Sequence, residues 1–465
     1  MKINTLISSL RAVTVTCLLI GLCACNSSGK TTKPVTVPGV NTDATGKILS
    51  DEEAATKASL EIAKSVEQEQ EAFKAKYKTY EEFEKSEDFN KIVHKENFPN
   101  GKYIVNGDTP IADKKHLREY FEKIFAMKPK PPVKEGAQEL ILFRVGGVDV
   151  KWSRLDKKAL SYCVSTAFGS QHQQVVDAMA QATKAWEAVA DVGFIYLPSE
   201  DANCDTGNSK VLFDVNPVSG QNYLARAFFP NESRVGRNVM IDQSSFDLGP
   251  GKLTLTGILR HELGHVLGFR HEHTRPGGAA SCFEDNDWRT VAGNGIDLLS
   301  VMMYPQCNKD KQGQQDWSLR LTETDKQGAA CVYGPSAGYP FDKTICIDPP
   351  APTPVSKGIP TINSFTNQKV KLGQDRVYGP YPVIPGSLLT VDMTGKKSSE
   401  DPDLYVAFGS QPVVASGKFA CRPFLTGPNE SCKLDVPANK QDAYVLVNGS
   451  TSATYNLKVQ RERSQ

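Results

Sequence analysis

The chain has 465 residues, long enough for two or three domains. Its 54 lysines and arginines offset 53 aspartates and glutamates, leaving a net charge of +1. That balance argues against nucleic acid or an anionic surface as a global partner.

Lys2 and Arg11 flank the start of an apolar run from Ala12 to Leu22, too short for a convincing membrane span. Residues 1–24 read as a signal peptide. Leu22-Cys23-Ala24-Cys25 resembles a bacterial lipobox with Cys25 as the lipidated residue; the other reading is an ordinary secretory signal cut nearby. A lipid on Cys25 implies an exported lipoprotein on a bacterial membrane (outer membrane or cell surface), open to later release outside the cell. Of the eleven cysteines, Cys17 and Cys23 would leave with the signal and Cys25 would carry the lipid. The remaining eight are Cys163, Cys204, Cys282, Cys307, Cys331, Cys346, Cys421 and Cys432, an even number suited to disulfides in an exported chain. Pairing in sequence order is the simplest scheme. No C-x-x-C spacing occurs among them to suggest a cysteine zinc site.

Residues 25–50 are a polar mixture of Ser, Thr, Gly, Pro and Val, expected to be a flexible tether. Ser50-Asp51-Glu52-Glu53 offers an N-cap and an acidic first turn. Ile62, Val66, Phe73, Tyr77 and Tyr80 then keep a helical stripe, predicting one long helix or two up to about residue 92. A further helix over 114–126 carries Leu117, Phe121, Ile124 and Phe125, and Lys128-Pro129-Lys130-Pro131-Pro132 stops it. Residues 51–138 are thus expected to form a helical segment ahead of the next domain. Asn106-Gly107-Asp108 within it reads as a turn.

From residue 139 the pattern changes. Leu140–Val145 and Ser161–Thr166 alternate as strands, Gln173–Ala190 is helical, and Gly193–Leu197, Val211–Val215 and Asn238–Asp242 are again β-rich. A helix over Leu253–Phe269 contains the chain's most informative stretch. His261-Glu262-Leu263-Gly264-His265-Val266-Leu267-Gly268-Phe269-Arg270-His271 spells H-E-x-x-H-x-x-G-x-x-H. Residues four apart share a helix face, so His261 and His265 can supply two corners of a tetrahedral Zn²⁺ site. Gly268 can end the helix at positive φ and bring His271 round as a third ligand. Glu262 then stands where a carboxylate can take a proton from water at the metal.

This pattern resembles the metzincin clan of zinc endopeptidases, between its astacin and matrixin branches. The clan's Met-turn matches Ser300-Val301-Met302-Met303-Tyr304-Pro305. In the astacin frame Met302 lies beneath the zinc; in the matrixin frame it is Met303. Glu272 and Ser300 favour Met302, and that frame makes Tyr304 a helper in oxyanion stabilisation, the alternative being a tyrosine packed under the turn. Glu272, directly after His271, resembles the astacin glutamate that anchors the mature N-terminus; a surface salt bridge is the other reading. His273 is not expected to be a ligand. Leu224-Ala225-Arg226-Ala227-Phe228-Phe229-Pro230 resembles the matrixin edge strand along which substrate lies, but Arg226 replaces the histidine of a second, structural zinc, so one zinc is expected. The resemblance makes 51–138 a pro-segment, with maturation between residues 130 and 155. It has no cysteine with which to block the metal as matrix metalloproteinases do. Val105-Asn106-Gly107-Asp108 instead resembles the astacin latency motif, with Asp108 on the metal.

After Val332-Tyr333-Gly334, a Pro-rich linker over 336–360 leads to alternating strands at Ser387–Met393, Leu404–Phe408, Ala443–Val447 and Ala453–Val459. Asp401-Pro402-Asp403-Leu404-Tyr405 and the Cys421 and Cys432 segments resemble the pre-peptidase C-terminal domain of secreted bacterial proteases. The expected architecture is therefore an α+β metzincin-type catalytic domain over 139–335 (a twisted mixed sheet plus the active-site helix), a helical pro-segment before it, and an all-β sandwich over 361–465. The expected function is a monomeric zinc endopeptidase acting on protein or peptide substrates, made as an exported latent precursor and held to a membrane through its N-terminal lipid. The competing class is an inactive metzincin-like surface adhesin or scaffold, in which Glu262 would have no purpose.

Overall fold

The computed structural model describes residues 72–126, 138–145, 148–249, 253–274, 284–285, 287–292, 295–304, 318–347, 358–414, 417–423, 425–437 and 439–463. The expected signal peptide, the expected tether with Cys25, the start of the expected pro-segment, and Cys282 and Cys307 lie outside these residues. Among the described residues no helix is long and apolar enough to cross a membrane.

The described part of the pro-segment is not one continuous helix. Thr79 adopts an extended conformation and its hydroxyl accepts from the Glu82 N–H, starting the new helix α1 (Tyr80–Glu84). The Glu82 carboxylate reaches back to the Lys78 N–H at 2.7 Å. Thr79-Tyr80-Glu81-Glu82 is a capping signature that overrides the apolar stripe running through it. A short helix α2 (Phe89–Ile92) follows. Next comes an antiparallel sheet of β1 (His94–Lys95), β2 (Tyr103–Val105) and β3 (Thr109–Ile111). The expectation of an all-helical segment is corrected to a mixed one. Helix α3 (Lys114–Ala126) falls where periodicity placed it and buries Leu117, Tyr120, Phe121 and Ile124. These pack on Tyr77, Tyr80 and Phe83 in a largely aromatic core.

The next region opens with β4 (Ile141–Val145). It continues through β5 (Leu160–Val164), α4 (His172–Glu187), β6 (Phe194–Tyr196), β7 (Phe213–Val218), β8 (Ala225–Arg226) and β9 (Asn238–Asp242). Five of these strands form a sheet in the order β8-β9-β7-β5-β6, parallel except for β8, which runs antiparallel to β9 at the edge. The strand expected through Pro230 is thus only two residues long. Beyond it Phe228 and Phe229 turn into the interior. Helix α5 (Leu255–Val266) packs on α4, and the Trp186 indole N–H donates to the Arg260 carbonyl at 3.0 Å. Strand β10 (Trp288–Thr290) pairs with β4. Helix α6 (Glu323–Tyr333) closes the region behind a capping box of Thr322 and Asp325.

Seven antiparallel strands follow: β11 (Ile359–Val370), β12 (Asp375–Pro382), β13 (Leu388–Gly395), β14 (Pro402–Phe408), β15 (Glu430–Asp435), β16 (Asp442–Gly449) and β17 (Ala453–Arg463). They make a four-stranded sheet, β11-β17-β13-β15, and a three-stranded sheet, β12-β16-β14. Alternate residues of both, among them Leu389, Val391, Leu404, Val445 and Val459, share one core. This β-rich unit touches α3: Lys115 pairs with Asp403 at 2.8 Å and Arg422 with Glu119 at 2.7 Å. Disulfides join Cys163 to Cys204, Cys331 to Cys346 and Cys421 to Cys432, in the sequence-order pairing.

Candidate metal centre

Thr254 caps α5 by accepting from the Gly257 N–H, and the helix carries His261 and His265 one turn apart on a buried face. Gly264 lies between them over Met302. A Cβ there would stand 2.2 Å from the Met302 sulfur, so Met302 packs against the helix from below. The helix ends at Gly268, with φ of +92°, where a Cβ would fall 2.2 Å from the Val150 carbonyl oxygen. Conformation and space both require glycine here. The exit segment then joins β4: Phe143 N–H donates to the Gly268 carbonyl at 2.9 Å, and Arg270 N–H to the Ile141 carbonyl at 3.1 Å. That pairing delivers His271 back to the helix.

Each of the three rings has an acceptor at Nδ1. His261 faces the Val301 carbonyl at 2.6 Å, His265 the Phe269 carbonyl at 2.8 Å, and His271 the Glu284 carboxylate at 2.5 Å. Nδ1 therefore carries the hydrogen and donates, leaving each Nε2 lone pair directed inward. Asp108 reaches the same point from the turn between β2 and β3. Its oxygens lie 3.1 Å from His261 Nε2, 3.0 Å from His271 Nε2 and 3.5 Å from His265 Nε2. The Nε2 atoms of His265 and His271 are only 3.1 Å apart. Three lone pairs and a carboxylate, all buried, converge within 4.8 Å of one another.

Such a set repels itself unless a positive charge sits among its members. Burial pushes the His265 imidazole down to about 4, which keeps it neutral. Burial opposes protonation of His271 too, yet Asp108 and Glu284 outweigh it and raise that ring to about 10, so without a metal its Nε2 takes a second proton, whose charge a metal ion at the same point would replace. The carboxylates thus call for a cation, and a three-imidazole, one-carboxylate donor set suits tetrahedral Zn²⁺.

Glu262 faces the cluster from α5. Burial first, then the nearby Asp108, pushes its carboxyl well above the usual range. With Asp108, Tyr223, Ala225, His261, Met303 and Tyr304 it lines a cavity of about 170 Å³. The Tyr304 ring lies 4.3 Å from that of His271. Burial, then the nearby Asp108, pushes that phenol well above its usual range. Gly107 fits against the Tyr304 ring, with room for a Cβ only at 3.0 Å.

All the residues singled out around the motif meet here: His261, His265, His271, Glu262, Tyr304, Met302 and Asp108. Glu272 is buried rather than on the surface. Its N–H donates to the Met302 carbonyl, and its carboxylate accepts from the Asp297 N–H. His273 is also buried, stacked on His271 with Nε2 3.6 Å from Glu284, and is not among the four residues whose ligand atoms converge. Three other residues escaped sequence reasoning. Glu284 holds His271 and Arg270, and no local pattern marks it. Asp325 accepts from Ser300 Oγ and the Val301 N–H, fixing the Met-turn; its capping-box position was the available clue. Glu96 is buried against Arg226, and no local pattern marks it.

Residues 151–292 match the matrixin family. The matched stretch runs from the lead into β5 through β10, so it includes the three histidines and Glu262, and it stops short of Met302 and Tyr304. This part of the chain is a metzincin-type metallopeptidase domain. Among curated proteins, the chain is 30% identical over 118 residues to bone morphogenetic protein 1 of Xenopus laevis, covering 25% of this chain and 13% of that protein. It is also 49% identical over 49 residues to xanthomonalisin of Xanthomonas sp. (strain T-22), covering 10% of this chain and 6% of that protein. The chain therefore spans only a small part of these relatives' lengths.

Proposed function

We propose that the protein is a zinc-dependent endopeptidase made as a latent, exported precursor with an H-E-x-x-H-x-x-G-x-x-H catalytic site. One observation carries this reading: three Nε2 atoms converge beside a buried glutamate, and a carboxylate from a preceding segment stands against all three. His261, His265 and His271 would hold the metal. Zinc bound there would acidify water and polarise a scissile carbonyl. Glu262 takes the proton from the attacking water and passes it to the leaving amine. Tyr304 donates its hydroxyl to the developing oxyanion. The outer edge of β8 offers backbone N–H and C=O groups with which an extended peptide can pair.

In the precursor, Asp108 takes the place the reacting water needs, and Gly107 lies against the Tyr304 ring. Removal of the pro-segment frees both that place and Tyr304. The pairing of β4 with the helix exit argues for a cut before Ile141, because a later cut would loosen the segment that positions His271. The lipid on Cys25, the membrane location and the monomeric state belong to the same reading and rest on the sequence.

The test is a casein and peptide-library digest with the activated protein, with the same protein after chelation, and with Glu262→Gln. The reading expects internal peptide bonds to be cut, loss of cutting on chelation, its return with zinc, and a fall in kcat of roughly a thousandfold or more in the variant. A variant that keeps its metal and cuts at the wild-type rate removes Glu262 as the base.

A further inference from the structure

The segment before the matrixin domain places a second carboxylate, besides Asp108, against that domain. Glu96, just after β1, is buried beside the edge strand β8. Arg226 Nε donates to one of its oxygens at 2.7 Å and Nη2 to the other at 3.1 Å. The Tyr223 hydroxyl donates to the first oxygen at 2.6 Å, and the Lys102 N–H to the second at 2.7 Å. Three of these four donors belong to the matrixin domain and stay when the pro-segment leaves. They are held in place: Arg226 Nη1 donates to the carbonyl and side-chain oxygens of Asn238 on β9. The fork is therefore fixed independently of Glu96, which is what a bidentate carboxylate receptor requires.

Its position is equally specific. Arg226 follows Ala225, which lines the cavity with Glu262, and its charge acts on the Glu262 carboxyl. Release of the pro-segment would leave the guanidinium, on the edge strand, and the phenol, on the wall of the cavity shared with Glu262, without their carboxylate. Burial makes an uncompensated charge costly there, so a ligand that restores the carboxylate gains strongly. Glu232 is the nearby rival: it pairs with Lys102 at 3.3 Å in the precursor and loses that partner on release.

We propose that Arg226 and Tyr223 form a carboxylate-binding subsite of the activated enzyme, occupied by Glu96 in the precursor and by an acidic group of the substrate afterwards. The group is either an Asp or Glu side chain or the free C-terminus of a short peptide. This inference rests on the peptidase reading above.

The experiment uses the full chain activated by limited proteolysis and quenched peptides that differ only by Asp or Asn at one position, each with a free or amidated C-terminus. The expected result is a preference of about tenfold or more in kcat/KM for a carboxylate at one position. Arg226→Gln should abolish it, and Tyr223→Phe should reduce it if the arginine variant does not fold. A preference that follows the side chain assigns the site to Asp or Glu; one that vanishes on amidation assigns it to the C-terminus. Binding of the same peptides to Glu262→Gln, read by fluorescence anisotropy, separates the two claims. Selective binding of acidic peptides without any cleavage by the wild type keeps the subsite and removes the peptidase. Cleavage without acid preference, or a preference unchanged in both variants, overturns the subsite and leaves the peptidase standing.

Discussion

Leu389, Val391, Leu404, Val445 and Val459 fill the interior of the C-terminal β-rich unit, while the matrixin domain and the segment before it bury Asp108, Glu262, Arg226, Glu96 and three histidines almost as deeply where they meet. In the first region each strand residue needs only to be apolar and to face inward, so neighbours can substitute for one another's contribution. In the second, each charged group is tolerable only because a particular partner is present. Glycine shows the same contrast. Gly264 and Gly268 are dictated by single atoms of Met302 and Val150, whereas Gly373, at a turn of the β-rich unit, has nothing within 4 Å of where a Cβ would go.

Gly268→Ala should break the cleft most severely. The added methyl meets both a positive φ and the Val150 carbonyl, a cost of about 3–6 kcal/mol that would displace His271 and the metal with it. Thermal unfolding and zinc content check this; an unshifted midpoint with full metal occupancy would contradict it. Leu404→Ala tests the other region. It should cost about 2–5 kcal/mol through the cavity it leaves, and zinc content should not change. Loss of zinc in that variant would erase the contrast between the two regions.

A smaller effect sharpens the contrast through pH. Burial, then the charge of Asp297, pushes the Asp325 carboxyl from 3.8 up to about 6. A carboxyl raised on folding contributes stability that is full below 3.8 and is lost as pH rises through about 6. An amide at this position would not titrate, so the stability of wild type relative to Asp325→Asn should fall by about 1–3 kcal/mol between pH 4 and pH 7. Urea titrations at the two pH values measure it, and a flat difference would show that Asp325 is not strained by ionisation.

The two regions also differ in how much of them was legible. Alternation alone located β13, β14, β16 and β17, and helical periodicity located α3, α4 and α5, because apolar spacing reports burial directly. The metal ligands were legible because their spacing is local to one helix and one turn. Asp108 and Met302 came only through resemblance, since nothing in a Gly-Asp turn or a Met-Met pair states what it will meet. Glu96, Glu284 and Asp325 were missed. Each is an ordinary acidic residue whose partner lies far along the chain: 130 residues from Glu96 to Arg226, 13 from Glu284 to His271 and 25 from Asp325 to Ser300. The mixed pro-segment was missed because a capping Thr79 carries more local information than the stripe that hid it.

The central claim, that three imidazoles and Asp108 surround a zinc ion, is tested most directly by metal analysis of the purified full chain and of His265→Ala. One zinc per chain in the wild type and none in the variant is the predicted result. A wild type that binds no zinc, or a variant that keeps it undiminished, would contradict the claim.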